Sequence, residues 1–126
     1  MQETVLRKNS AMVTGNSKVL TQTTLAANEV HLIGRISGRA IEKTMPSGDL
    51  LVEFRLVVER DNQRSERREV DTLDIAVWPA RLRKRALTFV VDEWVEVDGA
   101  LRRRFWQSPS GLASRWQVEA SQVRRL

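Results

Sequence analysis

The chain contains no cysteine, which leaves no disulfide framework, no thiol nucleophile and no thiolate metal site. Its single histidine, His31, excludes a multi-histidine metal centre and restricts any hydrolase triad to that one residue. His31 lies among apolar neighbours in a strand-like segment, so it reads as a packed or interface residue rather than a base. No apolar run approaches the length that spans a bilayer. Residues 1–27 lack the continuous apolar stretch of a signal peptide, and nothing points to export. There is no phosphate-cradling glycine loop and no metal-ligand spacing, and acidic pairs such as Asp92 with Glu93 read as turn residues. Neither an enzyme nor a cofactor is expected.

What remains is the composition of one soluble globular domain: 126 residues, 41% hydrophobic and 29% charged. The formal net charge is +5, and all but four of the 21 cations are arginine, the side chain that forks onto phosphate and stacks on rings. This balance favours an anionic partner. The cations cluster at Arg64, Arg67 and Arg68, at Arg81, Arg83, Lys84 and Arg85, and at Arg102 to Arg104.

Residues 1–27 are rich in Thr, Ser, Asn and Gln without a sustained period and read as a flexible N-terminal arm, although weak alternation over Lys18 to Leu25 allows a short strand. The folded domain is expected over 28–126. A long first strand starts at Val30, with Gly34 where a bulge or bend relieves its curl. Pro46-Ser47-Gly48 is a turn. Leu50 to Glu59 is a second strand with Val52, Phe54, Leu56 and Val58 on one face, and Asp61 to Glu69 is a charged loop. The third strand, Val70 to Trp78, turns Leu73, Ile75 and Val77 inward and Trp78 outward. Pro79 opens a helix over Ala80 to Val91, with Leu82, Ala86, Phe89 and Val90 at helical spacing. Its cations Arg81, Lys84 and Arg85 lie opposite that stripe, where solubility alone asks for charge. A fourth strand from Trp94 bends at Gly99, Ser108 to Gly111 is a turn, and the last strand returns through Trp116, Val118 and Ala120. Trp116 reads as core, whereas Trp94 fits either a barrel-end cap or a subunit contact. Strand, strand, strand, helix, strand, strand is the order of an all-β, five-stranded OB-fold barrel, with its helix between strands 3 and 4.

Leu101 to Trp106 interleaves cations and aromatics at strand spacing. Alternation places Arg102, Arg104 and Trp106 on one face and Leu101, Arg103 and Phe105 on the other, with Leu101 and Phe105 expected to look inward and Arg103 on the side away from a ligand. Two cations beside a flat ring suit a polyanion that carries stackable bases. Taken alone, the hexapeptide fits an ordinary solvated strand equally well.

From Asn28 to Ala120 the sequence resembles the bacterial single-stranded DNA-binding proteins. The residues that carry the likeness are Asn28-Glu29-Val30 through Leu32-Ile33-Gly34, Met45-Pro46-Ser47-Gly48, the spacing from Trp78 to Gly99, then Leu101-Arg102, Trp106 and Ser110-Gly111. The resemblance implies an OB-fold, a homo-oligomer (tetramer, or dimer) and sequence-independent binding of single-stranded DNA in replication, recombination or repair, in the cytoplasm with the nucleoid. It implies that Trp78 and Trp106 stack on bases, beside cationic positions at Arg102 and Arg104, with Arg115 another if the last turn carries one extra residue. Arg35 and Lys43 are further candidates. Thr72 and a residue near Gln63 occupy two positions that are aromatic in the family. Family members commonly continue into a linker and an acidic tail that recruits partner proteins, whereas this sequence stops at Arg124-Arg125-Leu126, so recruitment of that kind is not expected. Two other readings remain open: an RNA-binding or primosome-type OB module, and an OB-fold protein-interaction subunit whose exposed tryptophans bind a partner protein.

Overall fold

The structure is a computed structural model and describes residues 25–61 and 68–126. The arm expected over residues 1–27 lies largely, and the position near Gln63 wholly, outside the described residues. The strands are β1 (Val30–Ile36), β2 (Ile41–Thr44), β3 (Leu50–Glu59), β4 (Val70–Val77), β5 (Trp94–Ser108) and β6 (Gly111–Arg125), with the helix α1 (Ala80–Ala86) between β4 and β5.

The expected long first strand is split into β1 and β2 at Gly38, whose φ of +93° suits only a residue without a side chain. Both halves pair antiparallel with β3. Taken as one strand, they close the sheet in the order β1-β5-β6-β4-β3-β1, with β4 and β6 parallel and the other pairs antiparallel. This is the five-stranded OB-fold barrel that the alternation predicts.

Closure depends on two close backbone approaches. Where β1 passes from β5 to β3, a Cβ on Gly34 would lie 2.3 Å from the Val57 carbonyl oxygen. In β5, a Cβ on Gly99 would lie 2.1 Å from the Glu119 carbonyl oxygen. Gly99 also sits at a register shift: it pairs with Ala120 while Asp98 pairs with Gln122, so Ser121 is left over as a bulge. The extra residue keeps Val118, Ala120 and Val123 all buried, although strict alternation would have turned Val123 outward.

The barrel is filled by Ile36, Val52, Phe54, Leu56, Ile75, Val77, Val95, Val97, Val118, Ala120 and Val123, and α1 adds Leu82, Ala86 and Phe89. Phe89 meets Phe54 edge to face, with ring centroids 5.8 Å apart. Burying each such aliphatic or aromatic side chain is worth roughly 1.5–3 kcal/mol. The helix begins after Pro79, whose carbonyl accepts from the Arg83 N–H at 2.8 Å, but it is shorter than its apolar period suggests. Thr88 and Phe89 donate to carbonyls only three residues back, and Asp92, at φ 71°, turns the chain so that its N–H bonds the Ile36 carbonyl. Val90 therefore leaves the helical stripe and is exposed, contrary to its expected place in the core.

Candidate nucleic-acid interface

Beyond Gly99, β5 and β6 continue as a two-stranded hairpin that rises past the barrel rim. Its base is fixed by Asn28, whose side-chain amide accepts from the Leu101 N–H (2.9 Å) and donates to the Leu101 carbonyl (2.7 Å), adding a rung next to the Val30 and Gly99 pair. Past the rim no core lies beneath either face, which corrects three expectations at once. Leu101, Phe105 and Trp116 do not look into a core: they are 41%, 58% and 55% exposed. Trp116 does share the face of buried Val118, but one pleat beyond the end of the packed interior.

Paired residues of an antiparallel ladder share a face. Arg102 pairs with Gln117, Arg104 with Arg115 and Trp106 with Ala113, so this face continues the outside of the barrel. There it meets the outward residues of β2, β3 and β4. Glu53, which alternates with the buried Val52 and Phe54, accepts from Lys43 Nζ (2.6 Å), Arg104 Nη1 (3.1 Å) and Gln117 Nε2 (2.7 Å). Arg104 also lies across the ring of half-buried Trp78, with its guanidinium carbon 6.0 Å from the ring centroid. One pleat along β6, Arg115 lies over Trp106 at 5.6 Å and reaches Asp74 at 3.3 Å, a carboxylate that also holds Arg55 at 3.5 Å. Arg102 pairs with Glu119 at 3.4 Å.

Six of the expected site residues, Trp78, Trp106, Arg102, Arg104, Arg115 and Lys43, thus come together on one outer face. A hollow of 220 Å³ lies among Ala76, Trp78, Arg102, Arg104, Gln117 and Glu119. A second, of 360 Å³, runs between Lys43, Glu53, Arg55, Asp74 and Arg115, and Gln117 lines both. Thr72 is exposed on β4, one pleat beyond Asp74 and opposite Val57, at the margin of this face. Arg35 is elsewhere: it lies over Trp94 at 5.9 Å and pairs with Asp92 at 3.6 Å on the outward side of β1 and β5. That side also carries His31, which is exposed rather than packed. Its ring nitrogens face Asp98 (2.5 Å) and Glu96 (3.1 Å), two carboxylates that Arg124 also bonds.

Glu53, Asp74, Gln117 and Arg55 were not singled out in the sequence, although alternation along β3 already turns Glu53 and Arg55 outward. Burial pushes the Glu53 carboxyl up, but hydrogen bonds from Lys43 and Gln117 and the charges of Lys43 and Arg104 outweigh it and hold the group below its ordinary range. Five cations, Lys43, Arg55, Arg102, Arg104 and Arg115, share three carboxylates, Glu53, Asp74 and Glu119. The face is therefore positive on balance, and its arginines are held in place before any ligand arrives. The Arg102–Glu119 pair is exposed on both sides, and a pair of that kind is worth about 0–1 kcal/mol, so a phosphate can take over Arg102 at small cost. Trp106, with Arg115 over its ring, stays 41% exposed, and half-buried Trp78, with Arg104 across it, borders the smaller hollow.

Residues 27–126 match the model of the Single-strand binding protein family. A search of curated proteins found no match. Among solved structures, the fold is similar to that of a Plasmodium falciparum SSB in complex with ssDNA, at 22% sequence identity and a TM-score of 0.65, covering 83% of this chain and 99% of that one.

Proposed function

This chain belongs to the single-strand binding protein family, and we propose that it binds single-stranded DNA along the outer face of β2, β3, β4, β5 and β6, with bases stacked on Trp78 and Trp106 and phosphates on Arg102, Arg104, Arg115 and Lys43. The observation that carries this reading is the pairing of each ring with its own arginine, Trp78 with Arg104 and Trp106 with Arg115, on one face. Stacking needs unpaired bases, because a duplex keeps its base faces covered. It is also indifferent to sequence, because every base has a π-face. Binding, not catalysis, is the activity such a face supports. The similar fold was solved with single-stranded DNA bound, which supports the same ligand here.

A homo-oligomer, tetramer or dimer, and work in replication, recombination or repair within the cytoplasm belong to the same proposal. Titration of the protein with oligo-thymidine, followed by tryptophan fluorescence, tests the binding reading. Quenching that saturates, and that competing duplex of equal length fails to reverse, is the expected result. Absence of quenching, or equal competition by duplex, overturns it. Competition by an RNA oligomer of equal length separates DNA from RNA preference, and mass measurement in solution gives the oligomeric state.

A further inference from the structure

The opposite face of the hairpin carries a second cation and ring cluster. Arg103 pairs with Trp116 and Phe105 with Ser114 across β5 and β6, so all four residues share a face. The Arg103 guanidinium carbon lies 5.5 Å from the centroid of Phe105 and 5.5 Å from that of Trp116, so one cation joins two rings that are each more than half exposed. Arg103 Nε and Nη2 both donate to Ser114 Oγ, at 3.1 and 2.9 Å. Here the two faces differ. Arg102, Arg104 and Arg115 each have a carboxylate within 4 Å, whereas Arg103 has none among the described residues. The cluster is thus uncompensated positive charge between two open aromatic surfaces, on a segment with no core to cover.

We propose that this face is a second base-stacking and phosphate-binding site for the same single strand, which rounds the edge of the hairpin from Trp106 to reach Phe105 and Trp116. The inference rests on the single-strand-binding reading above and extends it to a surface turned away from the first. Trp106 and Phe105 are consecutive residues on opposite faces, about 3.3 Å apart along the strand, so a chain of a few nucleotides spans the turn. A flat apolar surface for a partner protein would be served by the rings alone. A cation with no counter-carboxylate, fixed edge-on to a hydroxyl and flanked by rings, complements a nucleotide, which offers a phosphate and a planar base together.

Photocrosslinking of the full chain to thymidine oligomers about 30 nucleotides long, bearing 5-iodouracil at scattered positions, maps the aromatic residues that bases touch. Crosslinks at Trp116 or Phe105 in addition to Trp78 or Trp106 are expected. Alongside it, Trp116→Ala is expected to weaken binding of the same oligomer about tenfold, and Arg103→Ala to make the salt slope shallower by about 0.7. Both residues are exposed, and an unchanged circular dichroism melt shows that the variants fold. Crosslinks at Trp78 or Trp106 only, with unchanged affinity in Trp116→Ala, overturn the second site and leave the first intact. Failure of the unmodified protein to bind any oligomer overturns the function itself. A change in oligomeric state in Trp116→Ala, without loss of affinity, assigns the face to a protein contact and likewise overturns the proposal.

Discussion

Arg104 donates to the Glu53 carboxylate at 3.1 Å, joining β5 to β3 across 51 residues of sequence. The same guanidinium lies across Trp78, and Lys43 and Gln117 converge on the same carboxylate. One acidic side chain thereby organises cations from two strands and, through Arg104, the ring that ends a third. It holds Lys43 and Arg104 in place without neutralising the face.

The rings are predicted to dominate affinity. Trp106→Ala should cost about 1–3 kcal/mol of binding, read in the oligo-thymidine titration, with little change in melting temperature because the ring packs on no core. Trp78→Ala should cost a similar amount of binding and also lower stability, since Trp78 is half-buried.

Removing the organiser's charge should act through salt. Glu53→Gln keeps the shape and one hydrogen-bond acceptor but releases Lys43 and Arg104 from their counter-charge. Affinity at low ionic strength is expected to rise severalfold, and log Kd against log salt to steepen by up to about 0.7, equivalent to one further phosphate contact. Unchanged affinity and slope would show that Glu53 does not restrain these cations.

Two carboxylates tie stability to acid pH. Glu53 is held below its ordinary value of 4.5, burial opposing and Lys43, Gln117 and Arg104 prevailing. The hydrogen bond from His31 likewise holds Asp98 below 3.8, and Arg124 adds to it. A depressed carboxyl contributes stability in full above its unfolded-state value and loses it as pH falls through the folded-state one. Stability should thus be flat in these groups from neutral pH down to about 5 and fall below about pH 4.5. Urea melts of Glu53→Gln and Asp98→Asn at pH 7 and pH 3 check this: each variant should be less stable than the parent at pH 7 and differ less from it at pH 3.

The barrel should not tolerate a methyl group at its closure. Gly34→Ala and Gly99→Ala each place a Cβ within 2.3 Å of a backbone carbonyl oxygen that side-chain motion cannot move. Each is expected to cost about 3 kcal/mol, visible as a drop in thermal midpoint, whereas Gly38→Ala meets open space and is penalised only for its positive φ.

Much of this architecture was legible because period-2 alternation survives wherever one face of a strand is buried. Val52, Phe54 and Leu56 on β3 and Ile75 and Val77 on β4 are where alternation puts them. The same rule failed for Leu101, Phe105 and Trp116, because alternation reports which residues share a face and not whether anything lies beneath it. The hairpin outruns the barrel, and nothing local in the sequence marks the rim. The bulge at Ser121 was hidden for a similar reason, being fixed by a partner strand rather than by local composition. Of the site, the rings and arginines were visible as residue types, and their assembly on one face followed from strand order. Arg35 does not join them, because β1 presents its outward side chains to the other side of the barrel, beside Trp94. Glu53 and Asp74 were not legible as site residues because a carboxylate carries the wrong sign for a phosphate contact.

The proposed function requires that the outer face of β2 to β6, and not the β1 side, meets the strand. Its most direct test is the oligo-thymidine titration, across a range of salt, of Arg104→Ala against Arg35→Ala. Arg104→Ala is expected to weaken binding about tenfold and to make the salt slope shallower by about 0.7, as for one lost phosphate contact, while Arg35→Ala leaves both near the parent values. An Arg35→Ala loss equal to or larger than that of Arg104→Ala would place the strand on the β1 side instead.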